Sequence, residues 1–252
     1  AGVVERQMHL DAMPGTIETW VATAGTTPNL PAARTGHQQN LLDDGRVLLS
    51  GGLPDSTGTS TPLKTTVLYD YLTDSFTSTG DMTIERQQHR TALLYTGKVL
   101  VTGGRPLAAT DVINSLNSAE LFDPAAGTFS ATTGPMVRYR RLHRATNLAN
   151  GKVLITGGVG GQADNANSLP SLVELYDPAT GTFTAVSSLN TPRQKHQAIL
   201  LHTGKVLVAG SFSGSATIDR AITLRLIDFL VFRDRAEQRD IDIERKLVLL
   251  RH

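Results

Sequence analysis

The 252-residue chain has no cysteine, a single tryptophan and only 5% aromatic residues. Without cysteine it has no disulfides, no thiolate metal site and no cysteine nucleophile. No apolar run approaches the ~18–20 residues of a membrane-spanning helix. The opening AGVVERQ has neither an initiating Met nor an apolar signal core, so the expectation is a soluble chain that starts at a processed or internal boundary. No sign of charge dominates either: 24 Lys and Arg stand against 23 Asp and Glu. The overall balance therefore does not point to nucleic acid or an anionic membrane surface. A charged partner has to be sought in local clusters.

What the sequence does have is repetition. "DGRVLLSGG" at 44–52 returns as "TGKVLVTGG" at 96–104, "NGKVLITGG" at 150–158 and "TGKVLVAGS" at 203–211. His37, His89, His143 and His196 are spaced 52, 54 and 53 residues apart, and Gly51, Gly103, Gly157 and Gly210 keep the same intervals. Phe76, Phe129 and Phe183 follow at 53 and 54. One period shared by three residue types marks a repeat architecture. Within each unit, an apolar segment after the His leads to a turn ending in Gly45, Gly97, Gly151 or Gly204 and then to a β-branched run. This predicts a hairpin with a two-residue turn. TTVLYDY, SAELFDP and LVELYDP predict a third strand, and turns such as DPATGT lead to a fourth that begins at the Phe. Four short antiparallel strands in roughly 50 residues describe one blade of an all-β propeller.

The ordered set of Gly-Gly doublet, E-L-[YF]-D-P strand and fourth-strand aromatic resembles bacterial-type kelch repeats, like those of the galactose-oxidase central domain. The resemblance covers residues 34 to about 210. It implies a kelch-type β-propeller of four or five blades, either a closed ring or part of one. The units expected are a partial blade over 1–33 (QMHLD as third strand, Trp20 in the fourth), blades at 34–85, 86–137 and 138–192, a degenerate blade at 193–234 and a tail at 235–252. In the degenerate blade ITLRLIDF serves as third strand, with Asp228 as the counterpart of Asp177. The tail reads either as a hairpin closing the N-terminal half-blade or as an amphipathic helix.

Residues present in every blade are best explained by what every blade needs. Arg34, Arg86, Arg140 and Arg193, and the histidines three residues after each, His37, His89, His143 and His196, are therefore expected to hydrogen-bond neighbouring blade backbone near the channel rather than to form a catalytic or metal array. The doublets Gly51-Gly52, Gly103-Gly104 and Gly157-Gly158 belong to the same structural repeat. Function should show where copies differ. The entry segments 34–40, 86–92, 138–145 and 193–198 should share one end with the long loops 53–65, 105–117 and 159–171. They hold Arg34, Arg86, Arg90, Arg138, Arg140, Arg141, Arg144, Arg193 and Lys195 with no Asp or Glu, which suits an acidic peptide or acidic glycan. Candidate ligand-binding residues are Arg138, Tyr139, Arg140, Arg141, Arg193 and Lys195, with Asp164, Asn165 and Asn167 in the loop GVGGQADNANS for a sugar or a weak calcium ion. The competing reading ties these arginines to blade contacts or to Asp55 and Asp111.

The function expected is a non-catalytic binding scaffold, secreted or at the cell surface, without cofactor, metal, nucleic acid or membrane span. Its partner would be a protein or an anionic glycan. One alternative is a surface or filament subunit that self-associates through terminal strands. Another is a carbohydrate-active enzyme, for instance one built on Tyr139, Arg141 and His143. The resemblance also brings in copper radical oxidases, but their tyrosine–cysteine cross-link has no counterpart in a chain without cysteine.

Overall fold

The computed structural model describes residues 30–56, 60–106, 115–160 and 170–210, together with short strands at 212–213, 216–217 and 222–224. The expectations for QMHLD, Trp20, residues 235–252, Asp111, Asp164, Asn165 and Asn167 lie outside the described residues. Among those described there is no helix.

The repeats form successive antiparallel sheets. The first contains β1 (Gln38–Leu41), β2 (Val47–Ser50), β3 (Thr66–Asp70) and β4 (Ser75–Ser78). The second contains β5 (Arg90–Leu93), β6 (Val99–Thr102), β7 (Ala119–Asp123) and β8 (Thr128–Ala131). The third contains β9 (Arg144–Asn147), β10 (Val153–Thr156), β11 (Leu172–Asp177) and β12 (Thr182–Ser188). The arrangement is blade-like and β-propeller-like. β1 lies against β5, β5 against β9 and β9 against β13 (Gln197–Leu200), so the first strands of consecutive sheets make one continuous inner wall.

The core lies between sheets, which explains the composition of the central strands. β6 and β10 are buried at every position, so they read as unbroken apolar runs rather than alternating ones. Leu42, Leu48 and Leu68 of the first sheet pack on Val99 and Phe122 of the second. Ala92, Leu94 and Leu100 meet Val153, Ile155 and Tyr176 of the third, while Leu154, Val173 and Leu175 meet Val206 and Val208 beyond it. The outer strands are mostly exposed, and their Phe is held by a cross-strand ring. Tyr69–Phe76, Phe122–Phe129 and Tyr176–Phe183 have centroids 5.0, 4.9 and 4.8 Å apart, tilted near 45°, within the range favoured for aromatic pairs.

One expectation changes in detail. The first hairpin has a three-residue loop rather than a two-residue one. Leu42 N–H bonds Arg46 O at 2.8 Å and Gly45 N–H bonds Leu42 O at 3.0 Å, with Gly45 at φ +87°. This is a turn followed by a left-handed bulge residue, which fits the twist of the flanking strands, and the same bonds recur at Leu94, Leu148 and Leu201.

The fourth repeat also differs. β13 pairs with β14 (Val206–Ala209), a small hairpin of β15 (Phe212–Ser213) and β16 (Ala216–Thr217) follows, and β17 (Ile222–Leu224) then takes the third-strand place. Leu224 faces Val206, as Tyr69, Phe122 and Tyr176 face Val47, Val99 and Val153. Asp228, the expected counterpart of Asp177, lies outside the described residues. The observed register keeps an apolar residue opposite Val206, which is fully buried.

Candidate functional site

Each repeated arginine clamps its own blade. Arg86 Nη1 donates to Gly103 O at 2.8 Å and Arg140 Nη1 to Gly157 O at 2.8 Å, while Arg193 Nη1 donates to Gly210 O at 3.1 Å. In the second and third blades the third strand supplies a carboxylate: Arg86 Nη2 lies 2.6 Å from Glu120 Oε1, and Arg140 Nη2 lies 2.7 Å from Glu174 Oε1. Val67 occupies that strand position in the first blade. There Arg34 turns to Thr65, bonding its carbonyl at 2.9 Å and its hydroxyl at 3.1 Å.

His89, His143 and His196 instead reach across to the preceding blade, onto a side-chain hydroxyl rather than the expected backbone. His89 Nε2 is 3.0 Å from Ser50 Oγ, His143 Nε2 is 2.9 Å from Thr102 Oγ1, and His196 Nε2 is 2.9 Å from Thr156 Oγ1. Their Nδ1 atoms are buried without a partner among the described residues. Since an orphaned N–H costs more than an orphaned lone pair, we place the proton on Nε2, donating to the hydroxyl. Burial, reinforced by the nearby arginine charges, holds His89 and His143 far below the ordinary imidazole value and His196 down at about 3.

The Gly doublet completes the seam. Gly104 N–H donates to Arg140 O at 2.8 Å, and both glycines are left-handed, Gly103 at φ +57° and Gly104 at +102°. A Cβ on Gly103 would strike the Arg140 carbonyl and come within 3.0 Å of His143 Cε1. A backbone relay runs beside it: Gln88 N–H bonds Gly36 O, Leu142 N–H bonds Gln88 O, and Lys195 N–H bonds Leu142 O. Gln88, Leu142 and Lys195 are non-glycine residues at φ 57°, 55° and 54°.

The entry segments do meet the loops that leave the second strands. Bridges join Thr35 to Leu53, Gln87 to Arg105 and Arg141 to Val159. The nine cations of this end have different fates, however. Arg86, Arg140, Arg141 and Arg193 are buried, Arg141 with Nη1 on Ser115 Oγ at 3.0 Å. Arg34, Arg90 and Arg144 are half-buried, and Arg138 and Lys195 are exposed. Tyr139 is half-buried between exposed Arg138 and buried Arg140. In the grouping of Tyr139, Arg141 and His143, the histidine is fully buried with Nε2 held by Thr102 and is not accessible as a base.

Arg105 had not been singled out from the sequence. It lies close enough to Arg141 for its charge, after burial, to help lower the Arg141 pKa. The signal was available: Arg105 follows a glycine doublet where Leu53 and Val159 stand in the neighbouring copies.

The opposite, turn-bearing end has a cleft of about 310 Å³ between the first two blades, lined by Asp43, Asp44, Arg46, Lys98 and Asp123 among others. Most of its charges are paired: Arg46 with Asp44 at 2.6 Å and Lys98 with Asp123 at 3.1 Å. In the next copy Tyr95 stands where Asp43 does and lies over Gly151, close enough to crowd any Cβ there to 2.7 Å. Among the described residues no group of three or more His, Asp or Glu converges as a metal site, and no helix is long and apolar enough to cross a membrane. No protein-family model matches the chain, and no curated protein matches it significantly.

Proposed function

We propose that the chain is a kelch-type propeller scaffold, secreted or displayed at a cell surface, that holds a protein or anionic glycan without performing chemistry. One observation carries this reading. The end where entry segments bridge to the long loops carries recurring backbone hydrogen bonds between blades and has Arg138 and Lys195 exposed on it. A rigid frame with differing loops is a usual setting for recognition. The test is binding to peptide and glycan arrays by the wild type and by the Arg138→Ala, Lys195→Ala double variant. Loss of acidic ligands is expected, and unchanged binding rejects the reading.

A second reading, assembly of copies through the end sheets, is supported by Leu41 and Ile199. These are 62% and 59% exposed on the first and last described inner strands, whereas Ala92 and Thr146, the counterparts of Ile199, are buried beneath the next blade. Sedimentation at high concentration checks it, and a species that stays monomeric rejects it.

A further inference from the structure

The position after each repeated histidine opens the inner strand. It holds Gln38, Arg90, Arg144 and Gln197 in the four copies. The copies therefore differ here, and the two arginines fall on adjacent strands, β5 and β9. Each is fixed by the edge of its guanidinium nearest the chain. Arg90 Nε donates to His143 O at 2.8 Å and its Nη1 to His89 O at 3.3 Å, while Arg144 Nε donates to His196 O at 2.6 Å. The acceptors are carbonyls of the rigid seam, so both forks are held in place before any ligand arrives.

The rest of each fork is unused. Arg90 Nη2 and both Nη atoms of Arg144 have no acceptor among the described residues, and both side chains belong to half-buried residues. Neither arginine forms an ion pair with a described carboxylate, unlike Arg86 and Arg140 one turn of the pattern away. Burial, and then the charge of Arg144, bring Arg90 down to about 10, which leaves it charged at neutral pH beside a like charge. Two half-buried cations that repel each other, already oriented and with free N–H groups, match what a compact oxyanion requires.

We propose that Arg90 and Arg144 form a seat for one compact oxyanion, a carboxylate or a sulfate group, on the inner wall of the sheets at the loop-bearing end. This deepens the binding reading above and rests on it. It places the ligand's charged group at the inner wall and makes exposed Arg138 and Lys195 peripheral contacts. A carboxylate would come from an acidic side chain or a uronic sugar and a sulfate from a sulfated glycan; both would bridge the free Nη groups.

The experiment titrates the whole chain with sodium glutarate and, separately, with sodium sulfate, against sodium chloride at equal ionic strength. Binding is followed by calorimetry and by the Arg Nε–Hε NMR signals. The variants are Arg90→Gln and Arg144→Gln, which install the residue that the chain itself uses at Gln38 and Gln197, so the wall should fold. The wild type should bind at least one anion and shift the Nε–Hε signals of Arg90 and Arg144. Each single variant should weaken binding by roughly tenfold or more, and the double variant should abolish it. The tighter of the two anions identifies the source of the charge. Unchanged affinity in both variants, or the absence of any shift at these two arginines, overturns the seat. If array binding still depends on Arg138 and Lys195 in that case, the scaffold reading stands without the seat; if array binding is unaffected by those two residues as well, both fail.

Discussion

Glu174 Oε1 lies 2.7 Å from Arg140 Nη2, with both side chains fully removed from solvent. The same carboxylate also accepts the backbone N–H of Val137 at 2.6 Å and of Arg138 at 3.0 Å. It therefore ties the start of the third blade's entry segment to its central sheet. Removing one partner of such a pair leaves a buried charge unpaired. Glu174→Ala should cost about 3–5 kcal/mol in urea denaturation. The double variant Arg140→Met, Glu174→Val, which borrows the valine found at Val67, should recover most of the loss. A double variant as unstable as the single one would contradict this account.

Acid should unfold the chain earlier than its carboxylates alone would suggest. His89, His143 and His196 titrate far below 6.5 when folded, so they are neutral in both states above that value. As pH falls below 6.5 the unfolded chain takes up protons that the folded one refuses. Stability is thus full above pH 6.5 and declines toward pH 3 by up to about 4 kcal/mol per pH unit for three such groups. Chemical denaturation at pH 7, 6 and 5 measures the slope, and a flat profile rejects it.

Gly103→Ala should be among the most damaging single changes. It combines a left-handed φ, costing about 1–2 kcal/mol for a residue with a Cβ, with overlap on the Arg140 carbonyl that must be relieved by opening the seam. The sum should reach roughly 3 kcal/mol or more. Gly134, which has nothing within 4 Å of a Cβ and no positive φ, should accept alanine with little change in the thermal midpoint and serves as the control.

Gln88→Gly should have the opposite sign. Gln88 holds φ 57° without glycine's freedom, at the position where the first blade has Gly36. Relief of left-handed strain outweighs the extra entropy of the unfolded chain, for a gain of about 0.5–1 kcal/mol. A lowered thermal midpoint would show that the Gln88 side chain contributes more than its backbone conformation costs.

Much of the blade pattern was legible because a strand repeat leaves fixed marks: the Phe of each outer strand, the glycines at left-handed positions and the apolar central runs. The hairpin loop was misread by one residue, since Asp44-Gly45 looks the same whether the turn has two residues or a turn plus bulge. The basic end was harder to read. Arg86 and Arg140 are neutralised by a carboxylate 34 positions downstream, Glu120 and Glu174, and composition windows do not register that pairing. Arg90 and Arg144 stood in plain view but shared a window with arginines of a different fate. In the fourth repeat no aromatic fixes the frame, so the third-strand assignment rested on ITLRLIDF alone, of which Ile222–Leu224 pair with β14.

The seams between blades are chemically interchangeable. His89 on Ser50, His143 on Thr102 and His196 on Thr156 are one joint made three times, and the glycine and relay bonds beside them recur in the same way. A whole unit such as 86–137 could be excised, and His143 would then face Ser50 while the Arg140 carbonyl met Gly52 N–H, each donor finding an acceptor of the kind it left. A chain joined in this way is modular at the level of single bonds. Copies can be gained, lost or reordered without any new contact being devised, and the Arg90–Arg144 pair would be lost with the unit that carries Arg90.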